Sequence, residues 1–242
     1  MAGHSKWKNN LGRKTSQDAK KSANFGKLSK AITVAVLEGG SPDPSFNPRL
    51  RVAVDAARAG SMPKDNIDRA IAKASGPDKS SLISTLYEVF GPHGSQLVVT
   101  GTTDNANRTT NEIRTLVDRN GGKLGGHGSV RHLFEHLGVC EVGIGQRKMT
   151  DDEILTVSSI LDATDYILLD DGHVIVFFHF DHIGRSRHML EEHGFTVHDG
   201  PHAIFKSTLP ITLDAAATAD CERLIEALDN HDDVHEVFSN IA

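Results

Sequence analysis

The sequence predicts an α+β protein: an N-terminal three-helix domain followed by two α/β domains, one of them ferredoxin-like and inserted into the other. Three observations support this. Apolar residues recur at helical spacing up to about residue 76, a Gly/Pro/Ser segment follows at residues 76–80, and short strand patterns then alternate with helical ones. The expected domains are residues 1–80, residues 81–137 together with 202–242, and residues 138–201.

The first predicted helix spans about residues 18–38 and has two distinct faces. Its apolar residues follow steps of three and four, the spacing of an amphipathic helix: Phe25, Leu28, Ile32 and Val36. On the opposite side, Lys20, Lys27 and Lys30 fall within roughly 80° of one another on a helical wheel. We call these three residues the lysine ridge, and we expect the apolar face to be buried and the ridge to be available to a partner.

Two further helices are predicted before residue 76. Asn47-Pro48 fits a helix start, because Asn caps helix N termini and Pro is tolerated at the first position. Arg49 and Arg51 then lie in the first turn, where the helix dipole disfavours cations, so an external anion would account for their charge. Pro63 opens the third helix. The last two helices form a helical hairpin or, less commonly, a helix-turn-helix.

The pattern after the linker begins with two strands and a helix. We predict strands at residues 86–90 and 96–102, separated by a glycine-containing turn, and a helix at about 107–119. Residues 121–126 are interpreted as a flexible glycine-rich loop. Residues 129–137 are predicted to form a short helix, because their apolar residues share one helical face: Val130, Leu133, Phe134 and Leu137.

The ferredoxin-like prediction comes from residues 138–200, where the order is strand, helix, strand, strand, helix, strand. Asp170-Asp171-Gly172 is predicted to be the hairpin turn between the two middle strands. The remaining elements are a strand near 203–205 or 211–213, a helix at about 215–228 and a strand at 234–238. They have no sheet of their own, so we expect them to complete the earlier two-stranded unit.

Charge is distributed unevenly along the chain. The net charge of the 242 residues is −6, but residues 1–80 contain 15 Lys and Arg against 7 Asp and Glu, a net of +8. The remainder contains 11 against 25, a net of −14. A basic segment on an acidic body is typical of a protein that contacts a polyanion, although a solvated helix face has the same composition. Since acidic groups repel phosphate, any nucleic-acid contact is expected in the first domain.

Composition excludes several classes of protein. With 38% hydrophobic and 24% charged residues the chain is ordinary for a globular protein, which argues against general disorder. The longest apolar run, Val174–Phe178, is far shorter than the roughly 20 residues of a membrane span, and the first residues lack the apolar segment of a signal peptide. Cys140 and Cys221 are expected to be reduced, buried thiols. We therefore expect a cytoplasmic protein without membrane contact.

The histidines raise the alternative of a metal-dependent hydrolase. His132-Leu133-Phe134-Glu135-His136 matches the H-x-x-E-H pattern, in which two histidines on one helix face bind zinc. The predicted helix has barely two turns, and nothing downstream supplies a compelling third ligand. A second group, His179, His182, His188 and His193, is explained more simply as exposed polar residues. Neither a phosphate-binding loop nor a nucleophile elbow is present, and Glu88, Asp104 and Glu112 have no spacing that specifies a carboxylate pair.

Two further segments contain candidate functional residues, Trp7 in the basic N-terminal segment and Asp104-Asn105 at a turn. Trp7 lies between Lys6 and Lys8, where its ring either stacks on a nucleic-acid base or anchors the segment by burial. Asp104 and Asn105 lie at a strand-to-helix turn, where capping of the next helix explains them better than catalysis does.

Motifs along nearly the whole chain resemble those of the YebC/PmpR family of probable transcriptional regulatory proteins. They are MAGHSKW at 1–7, QDAK at 17–20, NPRLR at 47–51, MPKDNI at 62–67, TDNANRT at 103–109, GGKLG at 121–125 and GSV at 128–130. The resemblance implies a cytoplasmic, three-domain non-enzyme associated with DNA and transcription control. Relatives of this kind also include a mitochondrial activator of cytochrome oxidase translation and bacterial factors that act on the ribosome. Leu11-Gly12 replaces the family's usual Lys-His pair, and Val89, Phe90 and His93 depart from its Tyr- and Gly-rich turn.

We therefore predict a nucleic-acid-binding regulator of gene expression that binds DNA through its basic N-terminal domain. The prediction includes no catalytic residue, metal, cofactor or small-molecule substrate. One alternative is a ribosome-associated translational regulator that binds RNA by the same surface, and another is a protein-interaction scaffold without nucleic-acid binding. Phosphate contacts would supply affinity with little sequence specificity. The predicted binding residues are Lys6, Trp7, Lys8, Arg13, Lys14, Lys20, Lys27, Lys30, Arg49, Arg51 and Lys64.

Overall fold

The computed structural model describes residues 18–76, 83–145 and 147–242, with side chains from Phe25 onward except that of Glu38. It is a mixture of helices and antiparallel sheets, which confirms the predicted α+β class. The helices are α1 (Asp18–Gly39), α2 (Pro48–Ala59), α3 (Lys64–Ser75), α4 (Ala106–Arg119), α5 (Asp151–Leu161), α6 (Ile183–Glu192) and α7 (Ala215–Asp229). The strands are β1 (Ile83–Phe90), β2 (Gln96–Thr103), β3 (Lys123–Leu124), β4 (Phe134–Gly143), β5 (Ala163–Leu168), β6 (Val174–His179), β7 (Thr196–Ser207) and β8 (Val234–Ser239).

The described chain divides into two compact units, and both are discontinuous in sequence. The first unit contains residues 18–34, 83–135 and 205–242, and the second contains residues 35–76 and 136–204. The division falls within α1, so the three N-terminal helices are shared between the units. The three sequence-based domains stay a prediction.

The first unit is built on a four-stranded sheet of order β3-β1-β2-β8. Helices α4 and α7 cover one face, where Ile113, Val117 and Leu224 are fully buried against alternate residues of β1 and β2. A smaller apolar cluster around Val98, Phe134 and Phe205 is also buried. The helices of this unit have apolar residues at steps of three and four. Strands β1 and β2 are antiparallel and pair along their whole length, with Ile83 opposite Thr103 at one end and Phe90 opposite Gln96 at the other.

The second unit contains the predicted ferredoxin-like sheet, with strand order β5-β6-β4-β7. The chain order β4-α5-β5-β6-α6-β7 is the βαββαβ pattern that the sequence indicated. Val174, Val176 and Phe178 of β6 are fully buried against α5 and α6. The predicted hairpin between β5 and β6 is present, since the Leu169 N–H donates to the His173 carbonyl at 2.9 Å.

Residues 129–137 do not form the predicted helix. A single 3-10 turn at Arg131–Leu133 is followed directly by β4. This strand is antiparallel to β6, and their pairing begins with Leu137 opposite His179. The apolar residues have helical spacing, but their pairing with a strand about 40 residues later decides the conformation. The 121–126 segment is also more regular than predicted, because Lys123 and Leu124 pair with β1.

Two predicted helix caps are confirmed. The Asn47 side chain accepts a hydrogen bond from the Leu50 N–H at 3.1 Å, and the Asn105 side chain accepts one from the Arg108 N–H at 3.1 Å. Both thiols are free and buried, as expected, and burial raises the pKa of Cys140 to about 12. Among the described helices, none combines the length and apolar character that crossing a membrane requires.

Candidate nucleic-acid interface

Several predicted binding residues lie where the structure gives no side-chain information. Lys6, Trp7, Lys8, Arg13 and Lys14 lie outside the described residues. Lys20 lies in α1, but its side chain is not described. The roles assigned to these six residues therefore stay predictions.

The other two members of the lysine ridge contact the end of α7 and the loop that follows it. Lys27 Nζ donates to the carbonyl of Asp229, the last residue of α7, at 2.7 Å. Lys30 Nζ donates to Asp233 Oδ1 at 2.6 Å. Burial lowers the pKa of Lys27, although the nearby Asp229 and Asp232 carboxylates oppose that effect. The ridge is thus engaged within the first unit at both positions, whereas the helical wheel placed it on a free face.

Asp233 is the centre of a polar cluster in the first unit. Asp233 is only 5% exposed, and its carboxylate accepts hydrogen bonds from Lys30 at 2.6 Å and from the Thr109 hydroxyl at 2.7 Å. Arg108 lies 3.5 Å from the same carboxylate and 2.7 Å from that of Asp104. Burial disfavours the charged form of Asp233, but the Lys30 and Thr109 contacts outweigh it and hold its pKa at about 2. Asp233 therefore stays ionised and holds Lys30 in place.

A groove of about 770 Å³ opens beside this cluster. Lys30, Arg108 and Arg119 line it, and so do Glu112 and His231, whose side chains approach to 3.1 Å. The arginines of α4 are exposed, and Arg108 is 49% exposed at its side chain. The groove is therefore lined by both cations and carboxylates.

The remaining predicted cations belong to the second unit. Arg49 is exposed in the first turn of α2, and Lys64 is exposed at the start of α3. Arg51 is different, because its guanidinium donates to three backbone carbonyls, those of Pro44, Ser45 and Gly184, at 2.9 to 3.2 Å. These bonds account for a cation in the first turn without an external anion.

The carboxylate of Glu88 has a structural role that the sequence did not reveal. Glu88 is 3% exposed and accepts backbone N–H bonds from Gly128, Val130 and Arg131 at 2.5 to 2.6 Å. Burial disfavours its charged form, but these three bonds outweigh that effect and lower its pKa. Glu88, Asp104 and Glu112 each have a different partner, so they form no carboxylate pair. An acidic residue within an apolar strand was the signal that could have shown a buried anion.

The H-x-x-E-H hypothesis fails on geometry. His132 lies in the 3-10 turn and His136 in β4, so the two residues do not share a helix face. The His136 ring stacks on Phe180 at 3.8 Å between centroids, while His132 Nδ1 lies 3.1 Å from the Gly128 carbonyl. His182, His188 and His193 likewise contact separate neighbours.

The fold and the basic N-terminal segment together define a class: a three-helix N-terminal region joined to two α/β domains, one of them ferredoxin-like. Family models match this class over most of the chain. The TACO1/YebC protein N-terminal domain matches residues 5–77, and the TACO1/YebC second and third domain matches residues 82–241. The chain belongs to the TACO1/YebC family.

Individual relatives agree with this assignment. A probable transcriptional regulatory protein from Zymomonas mobilis is 42% identical over 99% of this chain and 94% of its own length. The probable transcriptional regulatory protein YebC of Salmonella typhimurium is 39% identical over 99% of this chain and 96% of its own length. The crystal structure of a conserved hypothetical protein from Aquifex aeolicus has a TM-score of 0.79 at 31% identity, over 93% of this chain and 91% of its own.

Proposed function

We propose that this protein is a cytoplasmic, non-enzymatic regulator of gene expression that binds DNA through its basic N-terminal residues. The observation that carries the proposal is the charge asymmetry, +8 over residues 1–80 against −14 over the rest. The names of its relatives, probable transcriptional regulatory proteins, support the regulatory role. The contacts would be made to phosphates, so that affinity depends strongly on salt and weakly on sequence.

A phosphate would have to compete with acceptors that Lys27 and Lys30 already contact within the protein. Lys30 binds a carboxylate and Lys27 a carbonyl, and phosphate oxygens are acceptors of the same kind. A bound phosphate would therefore replace Asp233 at Lys30 and the Asp229 carbonyl at Lys27. Arg49 and Lys64 are exposed at the starts of α2 and α3, and we propose them as additional phosphate contacts.

The test compares the full chain with a K20Q/K27Q/K30Q variant by fluorescence anisotropy on two unrelated DNA duplexes. Binding should weaken about equally for both duplexes, and the log–log salt slope should become shallower by about one unit for each lost phosphate contact. Arg185→Gln, which removes an exposed cation from α6, is the matched control and should change neither quantity. An unchanged affinity and slope in the triple variant would exclude the lysine ridge as the binding surface.

Asp233→Asn supplies the opposite arm of this test. Removing the carboxylate frees Lys30 from its ion pair, so this variant should bind duplex DNA more tightly than the wild type, provided that it remains folded by circular dichroism. Weaker binding by a folded Asp233→Asn protein would contradict the competition.

RNA presents the same phosphates, so a ribosome-associated translational role uses the same surface. Sedimentation of a cell lysate distinguishes the two roles, because the protein should travel with the nucleoid if DNA is its partner and with ribosomes if RNA is. If the protein shows no salt-sensitive binding to either DNA or RNA, the result would indicate a protein-interaction scaffold.

A further inference from the structure

We propose a divalent metal site in the second unit, formed by Glu141, Asp171 and His173. It is separate from the residues of the proposed DNA interface and does not depend on that proposal. His173 Nδ1 lies 2.9 Å from Glu141 Oε1 and 3.6 Å from Asp171 Oδ2. All three potential ligand atoms lie within 4.8 Å of one another.

The backbone fixes each of these side chains. Glu141 lies in β4, where it pairs across the sheet with Ile175 of β6. Asp171 lies in the β5–β6 hairpin, and its Oδ1 accepts the His173 N–H at 3.0 Å, which turns Oδ2 toward the imidazole ring. Gly172 has a φ of +87°, and its carbonyl accepts the Met149 N–H at 3.1 Å, which connects the hairpin to the segment before α5.

The imidazole of His173 is supported on its other side. Its ring stacks on His198 of β7 at 4.1 Å between centroids, with an interplanar angle of 13°. Both rings lie directly over Gly143, where a Cβ atom would come within 2.7 Å of each of them. A glycine at this position of β4 therefore creates the space that the two imidazoles occupy, and Nδ1 of His173 is held toward the carboxylates.

The donor set indicates the class of metal. One imidazole nitrogen and two carboxylate oxygens suit zinc and neighbouring first-row divalent ions better than Mg²⁺ or Ca²⁺, which prefer oxygen ligands alone. Bonds of about 2.0–2.2 Å in a tetrahedral shell place ligand atoms roughly 3.3–3.6 Å apart. The present separations of 2.9 and 3.6 Å bracket that range. Asp171 is 59% exposed at its side chain, so water can complete the coordination.

The experiment uses the full chain after treatment with a chelator, titrated with ZnCl₂ by calorimetry and with CoCl₂ by visible absorption. The wild type should bind one ion at this site and melt at a higher temperature in its presence. Asp171→Asn and Glu141→Gln should each weaken zinc binding at least about tenfold and reduce the thermal shift. Asp171 is exposed, so its variant should stay folded even if a His173 variant does not.

His188→Gln is the matched control, because His188 forms an exposed i,i+4 pair with Glu192 on α6, which offers zinc a histidine and a carboxylate outside the proposed site. It should leave the affinity and the cobalt spectrum of the proposed site unchanged. The proposal is overturned if the wild type binds no zinc, or if folded Asp171→Asn and Glu141→Gln proteins bind it as tightly as the wild type does.

Discussion

Glu88 stabilises the first unit through hydrogen bonds that only an ionised carboxylate can make in full. Gln at this position offers one acceptor oxygen and brings an NH₂ group against backbone N–H donors. Glu88→Gln should therefore lower the free energy of unfolding by about 1.5–3 kcal/mol at neutral pH. Urea denaturation measures this difference, and Glu135→Gln, an exposed substitution in β4, should change stability little.

The same carboxylate predicts a pH dependence. Because its folded-state pKa is lowered from the ordinary 4.5, Glu88 stabilises the fold above that value, and the stabilisation disappears as the pH falls through the folded-state pKa. The stability difference between wild type and Glu88→Gln should accordingly shrink in acid. A difference that stays constant from neutral pH to pH 3 would mean that the variant acts through packing alone.

His235 in β8 also destabilises the fold in acid, but over a higher pH range than Glu88 does. Burial, assisted by the Lys27 and Lys30 charges, lowers its pKa from 6.5 to about 4, and the buried Nε2 atom has no hydrogen-bond partner. The unfolded chain therefore takes up a proton first, so stability should fall by up to about 1.4 kcal/mol per pH unit between pH 6.5 and 4. His235→Phe should remove this part of the pH dependence in urea titrations. His188→Asn, a change to an exposed histidine, should leave it intact.

At the scale of elements, local signals predicted most helices and several strands, and non-local pairing decided the segment where the local signal was wrong. The Asn47 and Asn105 caps and the apolar stripes are encoded within a few residues, so α1, α2 and α4 were predictable. Residues 129–137 have helical apolar spacing, yet they lead into β4, which pairs with β6 about 40 residues later. A short stretch of sequence around residue 133 does not show that the pairing partner exists. The contacts of the candidate site could not be predicted in this way. A helical wheel shows that Lys27 and Lys30 share a face of α1, but it does not show that the end of α7 and the loop after it lie against that face.

Gly138 is an element-scale test of this strand assignment. It lies in β4 opposite Phe178, and a Cβ atom there would collide with the Phe178 ring. Gly138→Ala should lower the melting temperature, at a cost of about 1–3 kcal/mol, because the buried ring cannot move aside freely. Gly126→Ala is the matched control, since nothing lies within 4 Å of its added methyl group. Equal melting temperatures for the two variants would contradict the packing of β4 against β6.

At the scale of the whole molecule, each compact unit combines an N-terminal segment with a later one. In the first unit Lys30 binds Asp233, and in the second the Arg51 guanidinium donates to the Gly184 carbonyl at 2.9 Å. Arg187 also lies 3.5 Å from the Asp55 carboxylate. The N-terminal helices are thus built into both units, which a division of the sequence by composition alone does not reveal.

Limited proteolysis tests this organisation. The first cut should fall at residues 76–80, because Gly/Pro/Ser segments between domains are the preferred sites of cleavage; residues 77–80 lie outside the described part of the chain. After that cut the two pieces should still elute together in size-exclusion chromatography. Each unit contains segments from both pieces, so the contacts inside a unit hold the pieces together. They should separate only in denaturant. Early cleavage inside the α/β region would show that the predicted linker is wrong, and separation of the pieces in native buffer would show that the N-terminal helices form an independent domain.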